Sequence, residues 1–277
     1  VKGLTQWRID GESVFPAWTR IVVPIAVIAA LALRTHVRNE DWRDELSFWK
    51  SAAAASPESF KTHKGLAGAL FDTQQTEDNL DLAIARLETG RRILEQRPLD
   101  PARREATLYV HLGIYLRRKA DLLTERGSAA EGLAYFRRAV AVLEKAREVD
   151  RFTVAKRLRA LRARGGESPE YGDENIYATL GYCQMRLESW PEVVATAAYL
   201  QMISPSHPFG YTLAGVADAK QSRVDAAIVN FAANLVLKPD DADARTNIVR
   251  CYEALGVAPN PVTVSYTHLT LPTILLV

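Results

Sequence analysis

Cysteine, histidine and charge of one sign are all in short supply in this sequence of 277 residues. Two cysteines, Cys183 and Cys251, cannot provide the four ligands of a structural zinc. The five histidines, His36, His63, His111, His207 and His268, show neither the i, i+4 spacing nor the carboxylate company of a metal-ligand pair. Lysine and arginine number 35 against 33 aspartates and glutamates, a net charge of +2, which gives no global reason to expect a nucleic-acid partner. There is no G-x-S-x-G, no P-loop and no dinucleotide fingerprint. The acid pairs Glu40-Asp41, Asp44-Glu45 and Asp240-Asp241 are read as helix-start residues, where carboxylates favour the helix dipole. The chain itself is therefore expected to hold no catalytic residue, cofactor or metal.

What the sequence does have is a period. Tyr177, Gly181 and Pro205 recur 34 residues later as Tyr211, Gly215 and Pro239. Asn175 to Leu187 reads as a first helix and Val193 to Ile203 as a second, ended by Pro205. The next unit repeats this with Tyr211 to Gln221 and Ala226 to Leu237, ended by Pro239. Gly181 and Gly215 allow close helix approach, and Ala227 and Phe231 supply a small and a large side chain. One helix pair alone leaves its apolar stripe wet, so the units are expected to stack, burying Leu180, Ala198, Leu213, Ala227 and Phe231. The cysteines lie 68 residues apart, two full periods. Equivalent positions two units apart are separated by about 20 Å, so the thiols are read as buried apolar residues and not as a bridge.

Upstream the period blurs but its parts persist. Trp42 to Ala55, stopped by Ser56-Pro57, reads as half a repeat acting as a cap. His63 to Phe71 and Leu80 to Leu94, stopped before Pro98, form a pair, and Ala106 opens another whose partner runs from Ala129 to Val149. The connection from Arg117 to Ser128 is too long for an ordinary unit, which predicts extended helices. Between Arg151 and Arg164 six cations stand with no acid. This stretch is read as a solvated helix extension leading into the Gly165 to Asn175 loop, the alternatives being contact with anionic lipid or nucleic-acid phosphate. Downstream, Ala242 to Leu255 is a first helix without a second.

The ends differ from this pattern. After a polar stretch over 1–14, the chain reads FPAWTRIVVPIAVIAALAL from Phe15 to Leu33. The uninterrupted apolar run from Ile21 to Leu33 rises only about 20 Å as a helix, so a span needs the residues before it, with Arg20 snorkelling and Trp18 at the interface. Residues 15–35 are read as a transmembrane helix, with a displaced signal-peptide core or a buried soluble helix as alternatives. At the other end, VSYTHLTLPT, Val264 to Thr273, has the propensity of a strand but no partner in a helical array. It matches the translation of a widely used transposase sequencing adapter, so 263–277 is read as a non-native tail and the native chain as cut inside a repeat. The repeat domain is thus placed at 41–262.

Tyr177, Leu180, Gly181, Ala227, Phe231, Pro205 and Pro239 resemble the tetratricopeptide-repeat consensus. Ala197 and Arg245 depart from it where a large and an aromatic residue are usual. The resemblance implies an all-α solenoid of antiparallel helix pairs, preceded by the single apolar helix, whose first helices line a concave groove. Lys61, Lys64, Arg117, Arg118, Tyr182, Arg186, Lys220, Asn247 and Arg250 are the groove residues in that register, suited to an extended, acidic peptide. The lysine and asparagine clamp of chaperone-binding members is not reproduced. The stretch RTHVRNEDWRDELSFWKSA, Arg34 to Ala52, further resembles the junction of membrane domain and repeats in the transmembrane and tetratricopeptide-repeat mannosyltransferases. That likeness implies a fragment of a bacterial integral-membrane O-glycosyltransferase, with catalytic residues upstream and acceptor-binding repeats on the extracytoplasmic, periplasmic side. Without it, the expectation is a membrane-tethered scaffold that binds proteins or peptides.

Overall fold

The computed structural model describes residues 18–96, 106–165 and 172–256. Phe15 to Ala17, Pro98, His268 and the whole 263–277 tail lie outside the described residues. The architecture is all-α, with helices following one another in sequential antiparallel pairs. Two compact units divide the chain after Pro57.

The first unit holds α1 (Thr19–Glu40) and α2 (Glu45–Ala55). No residue of α1 is buried, although its most apolar stretch has a mean hydropathy of 1.7. Its 22 residues correspond to about 33 Å of helix. The helix begins four residues later than Phe15 and runs past Leu33 to Glu40. It includes Pro24 near its start. Asp44 caps α2 by accepting from the Ser47 amide at 2.7 Å, and this bond holds the Asp44 carboxyl below its usual range. Trp42, Phe48 and Trp49 stack in series, with ring centroids 4.9 and 5.0 Å apart. Glu40-Asp41 is not a helix start: Glu40 ends α1 and Asp41 caps its C-terminus, where Arg38 pairs with Asp41.

The second unit contains α3 (Phe60–Thr73), α4 (Glu77–Gln96), α5 (Ala106–Glu125), α6 (Ala129–Arg162), α7 (Glu174–Arg186), α8 (Trp190–Ile203), α9 (Pro208–Lys220), α10 (Val224–Leu237) and α11 (Ala242–Ala254). Most of these begin one to three residues before the sequence reading. The reason is local chemistry: Asp173 and Asp241 cap α7 and α11 through the amides of Asn175 and Ala244, while Pro191 and Pro208 occupy first-turn positions that need no N–H donor. The long connection in the third pair is absorbed by helix, since α5 continues to Glu125 and α6 to Arg162.

The turns carry the period as clearly as the helices. Glu188, Ser222 and Gly256, spaced 34 residues apart, all take a left-handed φ, of 57°, 60° and 69°. At the first two, a second bond reaches back around the turn, from the Ser189 amide to the Gln184 carbonyl and from the Arg223 amide to the Asp218 carbonyl. This is the Schellman closure that reverses the chain within three residues.

Packing follows from these reversals. Leu80, Leu87, Leu108, Leu112, Leu116, Phe136, Leu143, Leu180, Leu200 and Phe231 are fully buried. A Cβ on Gly113 would stand 2.5 Å from Leu143, and one on Gly215 2.7 Å from Phe231, each on the partner helix of its own pair. Gly181 instead receives Leu213 of the next unit, 2.4 Å from such a Cβ. One expected core position is wrong. Ala198 is exposed, because the inward stripe of α8 is Val193, Thr196, Ala197 and Leu200. Ala198 stands about 100° round the helix from Ala197. Both cysteines are free and buried, and burial pushes the Cys183 thiol up to about 12.

Candidate binding face on the first helices

The nominated residues all belong to the first helices α3, α5, α7, α9 and α11. Packing of α7 against both α5 and α9 aligns this series side by side. Helix periodicity then decides which residues share a face: Tyr182, Val216 and Arg250 occupy one repeat position, 34 residues apart, and Arg186, Lys220 and Ala254 the next position a helical turn along.

The upstream part of the face is occupied by the protein itself. Asp121 of α5 accepts from the Tyr182 hydroxyl at 2.8 Å, from Arg117 at 3.0 Å and from Arg186 at 3.4 Å. Arg186 also donates to the Tyr182 oxygen at 3.0 Å and lies 4.9 Å over the Phe136 ring, while Arg117 lies 5.2 Å from the Tyr182 ring. Burial and the Asp121 carboxylate push the Tyr182 phenol up. Two guanidiniums, one carboxylate and two rings thus tie α5, α6 and α7 together. Asp121 is the residue that sequence reasoning missed. A single acid within a helix has no motif, and only its four-residue spacing from Arg117 was legible.

The downstream part is open. Lys220, Asn247 and Arg250 line a cavity of about 260 Å³ with Val216, Ala219, Val224, Phe231, Cys251 and Ala254. Its floor is apolar, and the lining has two cations, one amide and no acid. Asp218, the acid nearest in sequence, is bound to Arg223 at 2.7 Å and to the Asn230 amide at 2.9 Å. Lys220 also stands 6.0 Å from the Trp190 ring. Such a cavity suits an apolar side chain beside a carboxylate.

The remaining nominations do not join either cluster. Lys61 and Arg118 are exposed, and Lys64 donates to Thr107 at 3.1 Å.

No family model matches the chain, and no curated protein matches it. Among solved structures it is similar to YrrB, a tetratricopeptide-repeat protein with an unusual peptide-binding site, at 17% identity and a TM-score of 0.50 over 75% of this chain and 84% of that one. It is also similar to a human IFIT1 dimer with PPP-AAAA, at 14% identity and a TM-score of 0.40 over 84% of this chain and 45% of that one. A third similarity is to the Cut9–Hcn1 hetero-tetramer, at 16% identity and a TM-score of 0.36 over 74% of this chain and 38% of that one. The likeness to YrrB shows the fold, a tetratricopeptide-type array. None of these comparisons supports the mannosyltransferase resemblance of Arg34 to Ala52.

Proposed function

We propose that this chain is a membrane-tethered scaffold whose first-helix face holds an extended peptide. The observation that carries the reading is the cavity floored by Val216 and Phe231 and rimmed by Lys220, Asn247 and Arg250. Its acid-free lining selects a ligand segment with an apolar side chain next to an aspartate or glutamate. YrrB, of the same fold at low identity, has a peptide-binding site, which supports the use of this face. The Asp121 network makes the α5–α7 portion a rigid flank, because its arginines already have a carboxylate. A fluorescent acidic-apolar decapeptide should bind the full chain, and Lys220→Ala with Arg250→Ala should weaken it about tenfold per lost charged contact. Equal binding of a lysine-for-glutamate version of the peptide would overturn the reading.

The tether is α1, whose exposed apolar surface and length of about 33 Å match a bilayer core. Its removal should release the protein from liposomes in a flotation gradient; a chain that stays in the aqueous fraction with α1 intact contradicts the tether. The Arg34 to Ala52 junction supports a narrower second reading, in which the array presents protein acceptors on the extracytoplasmic side to a membrane glycosyltransferase. The upstream reading frame tests it through the presence or absence of further hydrophobic spans with acidic loops.

A further inference from the structure

The last third of α6 has no role in the repeat core. Its buried residues end at Asp150, yet the helix continues to Arg162, about 18 Å further. From Arg151 to Arg164 the cations are Arg151, Lys156, Arg157, Arg159, Arg162 and Arg164, with no acid among them. Two of these serve the fold: Arg151 lies 5.1 Å from the Tyr199 ring, and Arg157 acts electrostatically on Asp150. Lys156, Arg159, Arg162 and Arg164 are exposed. The same segment has a narrow apolar stripe, since Val154, Leu158 and Leu161 recur at i, i+4 and i+7 and are only half-buried, with Phe152 exposed one turn before Lys156. At about 100° per residue, the stripe covers roughly 60° of the helix and the charges occupy the rest.

We infer that this overhang is a second membrane contact, a basic amphipathic helix that lies on an anionic lipid surface. Charge complementarity sets the sign of the surface, and the stripe distinguishes a bilayer from a nucleic acid, which would use the charges but leave Leu158 and Leu161 without a function. Phe152 is the only aromatic in the segment, too few for base stacking. Lysine and arginine stems flanking the stripe can lie along the acyl boundary with their charges among the headgroups. The inference is independent of the peptide-binding reading.

The test removes the contribution of α1 without shortening the protein. Full chain carrying Ile25→Glu and Ile28→Glu, both at exposed positions of α1, is sedimented with vesicles of phosphatidylcholine alone or with about one-third phosphatidylglycerol. Binding is expected to the anionic vesicles only, and to fall with added salt. Lys156→Gln, Arg159→Gln and Arg162→Gln together should weaken it on the order of a hundredfold, given roughly fivefold per surface cation. Leu158→Gln should weaken it with the charges unchanged. Circular dichroism of each variant should show unchanged helix content, as the substitutions lie outside the core. Equal binding to both vesicle types, full affinity in the triple variant, no effect of Leu158→Gln, or tighter binding to a single-stranded oligonucleotide than to the anionic vesicles would overturn the assignment.

Discussion

Replacing Phe231 with alanine tests the packing of the downstream repeats most sharply when it is combined with a change at Gly215. The Phe231 ring is 1% exposed and lies among Ala227, Leu235, Ala244, Ile248 and Cys251, with its edge against the Gly215 backbone. Loss of a buried phenylalanine side chain costs about 3 to 5 kcal/mol. Here the value should lie near the lower end, about 3 kcal/mol, because Phe231 already lines an open cavity and water can enter the space it leaves. Gly215→Ala would set a Cβ 2.7, 2.8 and 2.9 Å from three ring carbons, so the ring must shift at a cost of about 1 to 3 kcal/mol. Once the ring is gone, that clash is gone too. The double variant should therefore be less destabilised than the sum of the singles by about 1 to 3 kcal/mol. Urea unfolding followed by far-ultraviolet circular dichroism gives the four corners of the cycle, with the slope checked for each because repeat arrays can unfold in parts. A cost under about 1 kcal/mol for Phe231→Ala, or strict additivity in the double variant, would refute this packing.

Two further predictions concern buried charge. Burial raises the Asp150 carboxyl above its usual range, against bonds from the Asp173 backbone and the Tyr177 hydroxyl. A carboxyl raised on folding adds stability below its unfolded pKa and loses it as pH rises through the folded value, so Asp150→Asn should raise the melting temperature at neutral pH and lose that advantage in acid. Glu77 behaves in the opposite way. Its bonds to Lys119 and Arg126 hold it below its ordinary 4.5, so its contribution is present above that value and is lost as pH falls through the folded one. Lys119, which also holds Asp81 at 2.7 Å, is the hub, and Lys119→Met should flatten the acid limb of a stability-against-pH curve measured by thermal melting.

The fold was legible because its chief signals are local. Tyr177, Gly181 and Pro205 mark a helix start, a close approach and a helix stop, and each has a one-residue physical cause. The boundaries were less legible, since a capping aspartate or a first-turn proline adds a turn that hydrophobic periodicity does not count. Ala198 shows the same limit: in a helix as apolar as α8, with three alanines within four residues, periodicity could not choose between Ala197 and its neighbour. The binding face was half legible. The 34-residue period put Arg186 and Lys220 at one position, but it could not reveal that Asp121 occupies the first while the second is open. That difference depends on an acid one helix away, which no spacing within α7 or α9 encodes.

The central claim is that peptide is held between α9 and α11. Amide hydrogen exchange of the full chain, with and without the acidic-apolar decapeptide, tests it most directly. The account predicts added protection in the segments containing Val216 to Lys220 and Asn247 to Ala254, lost in the Lys220→Ala, Arg250→Ala variant, with the α5–α7 network unchanged. Protection elsewhere in the array, or none at a saturating peptide concentration, would contradict it.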